Sequence, residues 1–153
     1  LRLVYDALED DGIFYLQIAG LRECWQYEDT SWGLFMYRYI FRGADASLPL
    51  NWVVSNCEVE GFEVHSVENI GVHYATTIQR WYDNWQKNKA TMLRAYGTEV
   101  WRTYEVFLGW SSVIPEKGCS TCYQLVLHKN LDQFNRRRFW NEGVRIHKPA
   151  SDA

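Results

Sequence analysis

A chain of 153 residues is about one domain long, and 47% hydrophobic, 23% charged and 16% aromatic residues are the composition of a folded globular protein, not a disordered one. The net charge of −3 is spread along the chain, which excludes the basic footprint that nucleic-acid binding needs. No run approaches the roughly 18 apolar residues of a membrane span and no leader pattern is present, while Cys24, Cys57, Cys119 and Cys122 are too scattered for a disulfide scaffold and favour a reducing compartment.

Leu1, Leu3, Val4, Ala7 and Leu8 recur at helical spacing, and Glu9-Asp10-Asp11-Gly12 ends that helix. Ile13 to Ala19 is a nearly continuous apolar, β-branched and aromatic run, predicted as a strand buried on both faces of a parallel sheet, with Gly20 freeing the chain to turn. A short helix is predicted over 32–41, a loop through Arg42-Gly43-Ala44-Asp45, and a helix over 49–60 closed by Gly61. Phe62 to Asn69 alternates apolar and polar residues, as a strand near a sheet edge does. From Tyr74 to Trp110 the spacing predicts two helices broken at Gly97, with Ile78, Trp81, Trp85, Met92 and Tyr96 on one stripe. Cys122 to His128 is a late strand, and a loosely ordered polar tail with Arg136-Arg137-Arg138 follows.

This order is that of the second half of a doubly wound α/β sheet, in which the last strand returns and inserts antiparallel. The chain opens on Leu1, without Met, inside a predicted helix, and half an open sheet leaves a buried edge exposed. The expectation is the C-terminal half of a larger α/β domain over residues 1–131, with a polar tail over 132–153.

Three stretches carry a family resemblance: Leu16-Gln17-Ile18-Ala19-Gly20; Tyr39-Ile40-Phe41-Arg42-Gly43-Ala44-Asp45; and Glu68-Asn69-Ile70-Gly71-Val72-His73-Tyr74 with Thr77, Trp81, Tyr82 and Trp85. They resemble the cyclopropane-fatty-acyl-phospholipid synthase family of S-adenosylmethionine-dependent methyltransferases. Trp25-Gln26-Tyr27-Glu28-Asp29, Trp81-Tyr82-Asp83-Asn84-Trp85 and His128-Lys129-Asn130-Leu131 are most similar to its sphingolipid C-9 methyltransferase branch. The resemblance implies a class I, Rossmann-like methyltransferase fold with inserted helices. It also implies a reaction in which a lipid alkene takes a methyl group and the resulting cation loses a proton to bound bicarbonate. In the sphingolipid branch the product implied is a methyl-branched sphingoid base of ceramide or glucosylceramide. Cyclopropanation of phospholipid acyl chains and a non-catalytic lipid-binding module stay open as alternatives.

Carried over residue by residue, the resemblance places a bicarbonate-type anion site at Tyr74, at Gln17 and at the backbone amide of Ala19. Many members have a histidine where this chain has Gln17, whose amide donates a hydrogen bond but does not titrate. Trp25, Tyr27, Trp32, Phe35, Tyr39, Phe41, Trp81 and Trp85 are candidates for the wall of an acyl channel, where aromatic faces would shield a cation; for such stripes ordinary core packing is the competing reading. Cys119-Ser120-Thr121-Cys122 has no second ligand pair, so no metal is expected.

The glycine-rich turn that holds S-adenosylmethionine in such enzymes does not occur in residues 1 to 153, so no cofactor-binding residue is assigned and an N-terminal half is expected to supply that site. The expected partners are an unsaturated lipid and a membrane surface, not nucleic acid. The branch implies association with the endoplasmic reticulum membrane, with the catalytic part facing the cytosol.

Overall fold

The computed structural model describes residues 1–24, 26–43, 48–137 and 139. Trp25, part of the loop after Gly43, Arg138 and the end of the predicted tail therefore lie outside the described residues. The described elements are α1 (Arg2–Ala7), β1 (Ile13–Leu21), α2 (Tyr27–Phe35) running into a π-helical turn (Met36–Ile40), α3 (Leu50–Val59), β2 (Phe62–Asn69), α4 (Gly71–Lys87), α5 (Lys89–Val113), a 3-10 turn (Pro115–Lys117) and β3 (Ser120–Lys129).

The three strands form one sheet in the order β1-β3-β2, with β3 antiparallel to both neighbours. The late strand thus inserts antiparallel between two strands that run the same way. In β1 the period of two decides burial: Phe14, Leu16 and Ile18 are half-buried, whereas Ile13, Tyr15, Gln17 and Ala19 are exposed. The expectation of a strand buried on both faces is corrected here: the Ile13-Tyr15-Gln17 side stays exposed, and it is the face of Phe14, Leu16 and Ile18 that packs. On that face Val53 and Cys57 of α3 pack on Phe62, Leu125 and Leu127, with Tyr5 and Leu8 from the chain start against them. Phe62 meets Tyr5 edge-on, with ring centroids 5.2 Å apart.

The expected break at Gly97 is present, where the chain leaves helical geometry at φ 79° and ψ 175°, and a second division lies nine residues earlier, at Asn88, where α4 ends. There the Asn88 side-chain amide donates to the Asn84 carbonyl (2.8 Å) while the Asn88 carbonyl accepts from the Met92 amide (3.0 Å). One asparagine thus closes α4 and opens α5, and it does so through side-chain hydrogen bonding that competes with the helix ladder.

The join between sheet and helices is made at Asn69-Ile70-Gly71. Asn69 Oδ1 accepts from Thr121 Oγ1 (2.6 Å) and from the Gly71 amide (2.9 Å), and the Ile70 amide donates to the Cys122 carbonyl (2.8 Å). A Cβ on Gly71 would stand 2.1 Å from Thr121 Oγ1, so only glycine lets α4 start this close to β3. At the other end of the sheet the exposed Arg136 is also paired: its guanidinium meets Glu63 and donates to the Leu131 carbonyl (3.1 Å) and Asn130 Oδ1 (2.9 Å). That hydrogen bond and charge hold the Glu63 carboxyl below the usual carboxylate range.

Gly71→Ala is expected to lower the unfolding free energy by about 1–3 kcal/mol, the range for forcing a methyl into a packed site. Urea unfolding of the two proteins side by side measures it.

Candidate functional site

Where α2, α4, α5 and the ends of β1 and β3 meet, they enclose a mostly apolar cavity of about 150 Å³. Helical spacing puts the right residues there. Tyr74 and Ile78 lie four apart on α4, and Phe107, Ser111 and Ile114 recur at the same period along α5 and just past its end, so two facing stripes close on one space. Trp32 and Met36 of α2 and its π-helical turn form a third side with Phe41, and Ala19, Ser120 and Thr121 form the end against the sheet.

The wall is stacked aromatic. Trp32 lies parallel to Phe107 at 11° with centroids 6.3 Å apart, and meets Trp110 at 4.8 Å. Phe35 stacks on Trp32 at 5.9 Å and Tyr39 stands behind Phe35 at 5.5 Å. Ring contacts continue from Phe107 through Tyr104 and Trp85 to Trp101, so the cavity is backed by an unbroken aromatic series.

What fixes Trp32 is the start of α2. Asp29, 2% exposed, receives Arg22 through two hydrogen bonds (2.8 and 3.2 Å) and also the Gln26 amide (2.8 Å), closing a capping box. Burial alone would raise the Asp29 carboxyl; Arg22 and the Gln26 amide outweigh it and hold the group below its ordinary value of 3.8.

Tyr74 is 37% exposed as a residue, yet burial around its phenol pushes its pKa upward, with the Cys122 thiol acting in the same direction. It is therefore a neutral hydroxyl donor throughout the physiological range. Ala19 reaches the same cavity from β1. Gln17 stands two residues down the strand on the same face, where its amide donates across to Gln124 Oε1 (3.1 Å) and does not line the cavity.

Of the candidate wall residues, the structure brings Trp32 and Phe41 to the cavity, with Phe35 and Tyr39 packed behind. Tyr27 is 83% exposed and Trp81 49% exposed, and neither lines it. Trp85 is spent on Trp101, stacked at 6° and donating to its carbonyl (3.3 Å). Trp25 lies outside the described residues. Sequence reasoning missed Met36, Phe107 and Ser111; the available signal was a small hydroxyl residue set on the apolar stripe of a helix.

This cavity is smaller than the roughly 300 Å³ or more that a nucleoside-sulfonium cofactor takes, and the glycines beside it are closed by the chain itself: a Cβ on Gly20 would stand 2.7 Å from the Tyr123 ring, and one on Gly71 would meet Thr121. The donor set does fit a small oxyanion, since hydroxyl groups and no carboxylate line the space. Among the described residues no helix is long and apolar enough to cross a membrane.

Solved structures share this α/β arrangement. A cyclopropane synthase from Mycobacterium tuberculosis superimposes with a TM-score of 0.77 at 19% identity, over 84% of this chain and 48% of the solved one. A mycolic acid cyclopropane synthase complexed with SAH and CTAB matches equally well, with a TM-score of 0.77 at 22% identity and the same coverage of 84% and 48%. The sequence profile of the mycolic acid cyclopropane synthetase family matches residues 1–125, and the chain belongs to that family. A curated relative, the sphingolipid C9-methyltransferase of Komagataella phaffii, is 50% identical over 151 residues, 99% of this chain and 31% of the relative. The chain thus spans about a third of the length of that relative.

Acid tests the role of the cap. Because the folded-state value of Asp29 is depressed, its contribution is present above the unfolded value near 3.8 and is lost as pH falls through the lower folded value. The stability difference between the parent chain and Asp29→Asn is expected to be constant from about pH 5 to 7 and to shrink below about pH 4, as followed by denaturant midpoints.

Proposed function

We propose that this chain is the lipid-facing part of an enzyme that methylates an unsaturated carbon in the sphingoid base of ceramide or glucosylceramide. The observation that carries this reading is the 50% identity over 151 residues to a protein named sphingolipid C9-methyltransferase. The cavity supports it: an apolar space walled by Trp32, Phe41 and Phe107 suits a hydrocarbon chain, and aromatic faces attract a cation developing on that chain while excluding water.

S-adenosylmethionine is the methyl donor in this reading and is bound by residues other than those described. A bicarbonate-type anion at Tyr74 and the Ala19 amide is the proton acceptor, without Gln17, whose amide is engaged with Gln124 outside the cavity; the cavity itself offers no titratable base apart from the neutral phenol. Tyr27, Trp81 and Trp85 do not line the cavity and are given no part in its wall. The enzyme works at a membrane surface, on the cytosolic side of the endoplasmic reticulum, in keeping with four cysteines that are all free thiols.

A chimera tests the reading: this chain replaces the matching segment of the Komagataella phaffii relative, and cellular sphingoid bases are examined by mass spectrometry. Retention of the methyl branch is expected. A folded chimera that leaves sphingoid bases unbranched rejects the function. In the active chimera, Tyr74→Phe is expected to lower the methylation rate by about 10²-fold, the scale for losing one positioned polar group at the reacting centre.

A further inference from the structure

The helix that walls the cavity has a second apolar face, turned outward. Asp29, Trp32 and Met36 recur on the inner side of α2 and its π-helical turn, whereas Tyr27, Leu34 and Arg38, with Tyr37 beside them, follow one another on the outer side. A helix on a protein surface normally places polar residues there. Here the outer side is apolar and uncovered, with Leu34 65% and Tyr37 59% exposed. Leu34, Tyr37, Arg38, Arg42 and Gly43 border an open groove of about 550 Å³.

Charge is uneven on this side as well. From Thr30 to Gly43 the sequence has two arginines and no carboxylate, although the chain as a whole carries −3. Arg38 lies over the Tyr39 ring, 5.5 Å from its centroid. Among the described residues neither Arg38 nor Arg42 makes a hydrogen bond or pairs with a carboxylate, whereas Arg22 and Arg136 do both. Two guanidiniums at the rim of an apolar groove, with aromatic rings beside them, match the chemistry of a bilayer interface. There, rings and aliphatic side chains settle at headgroup level and guanidiniums take phosphate oxygens in forked hydrogen bonds.

We propose that the outer face of α2 and its π-helical turn is the surface on which this chain seats on an anionic membrane, with Leu34 and Tyr37 in the headgroup layer and Arg38 and Arg42 on its anionic groups. Phe41 ties that face to the cavity, being 48% exposed and also part of the cavity lining. A bilayer under α2 therefore lies against the same helix whose inner face walls a space suited to hydrocarbon, which favours lipid over an acidic protein as the occupant. The choice of lipid rests on the functional reading above; the surface assigned to it does not.

The chain is mixed with vesicles of phosphatidylcholine, with or without roughly 30% phosphatidylserine, and bound protein is measured by sedimentation. Binding to the phosphatidylserine vesicles is expected, and Arg38→Gln combined with Arg42→Gln is expected to weaken it about 25-fold, about fivefold for each arginine. Arg94→Gln combined with Arg102→Gln removes the same charge from exposed positions of α5 and is expected to leave binding at the parent level. Leu34→Gln lowers binding about tenfold and keeps its dependence on salt. Raising the salt from about 0.1 to about 1 M, which shortens the Debye length from about 10 to about 3 Å, releases the parent chain without any substitution. The proposal is overturned if the parent binds both vesicles alike or neither, if salt leaves it bound, or if the α5 pair loses as much binding as the α2 pair. Arginine-dependent vesicle binding by a chain whose chimera leaves sphingoid bases unbranched keeps the surface and rejects the function; a methylating chimera beside a chain that ignores vesicles does the reverse.

Discussion

The site depends on one carbonyl oxygen. Asn69 Oδ1 accepts from the hydroxyl of Thr121 on the central strand and from the Gly71 amide at the first turn of α4. Both of its lone-pair directions are used, and each fixes a different element. Because α4 begins at a set height above β3, Tyr74 emerges one turn later at the edge of the sheet, facing what α5 and α2 bring. The absence of a Cβ at Gly71 is the steric half of the same constraint. Had the chain a side chain there, the helix would have to lift and the cavity would lose its end wall.

The chemistry of the cavity is that of dipoles, not of charges. Its polar groups are hydroxyls; the buried carboxylate of Asp29 sits behind the wall, neutralised by Arg22. Such a lining neither attracts protons nor holds water tightly, which suits an environment for a hydrocarbon. It also means that the lining itself supplies no base to take up a proton. The Gln17 amide, already donating to Gln124, cannot take it.

Much of the fold was legible because periodicity is local. The three strands, the antiparallel return of the last one and the helices flanking them follow from apolar spacing and from glycines at the ends. Burial of β1 was not legible: a run of apolar residues reads the same whether one face or both are covered, and Ile13 and Tyr15 look like core on paper. Nor was the division at Asn88, since it rests on a side chain competing with backbone for a carbonyl, a signal that Gly97 outweighed. In the site, Tyr74, Ala19, Trp32 and Phe41 lie together because motif and stripe coincide. Tyr27 and Trp85 carried the same residue chemistry, but one turns outward and the other is taken by Trp101, a partner sixteen residues away. Ser111 was invisible for the opposite reason, being an ordinary residue made notable only by what it fails to bond.

The wall that carries Trp32 is attached differently from the others. α4 and α5 are joined to each other through Asn88, and α4 is tied to the sheet; α2 is moored at its own first turn by Arg22, Asp29 and Gln26, and elsewhere by ring contacts. Ring faces slide and part without leaving hydrogen bonds unmade. The cavity is therefore built like a jaw with a pinned root and a greased bite. Opening the cavity on that side requires the rings of α2 to disengage from Phe107 and Trp110 while the root stays closed, so the work of opening is set by a few aromatic contacts and not by the stability of the protein as a whole.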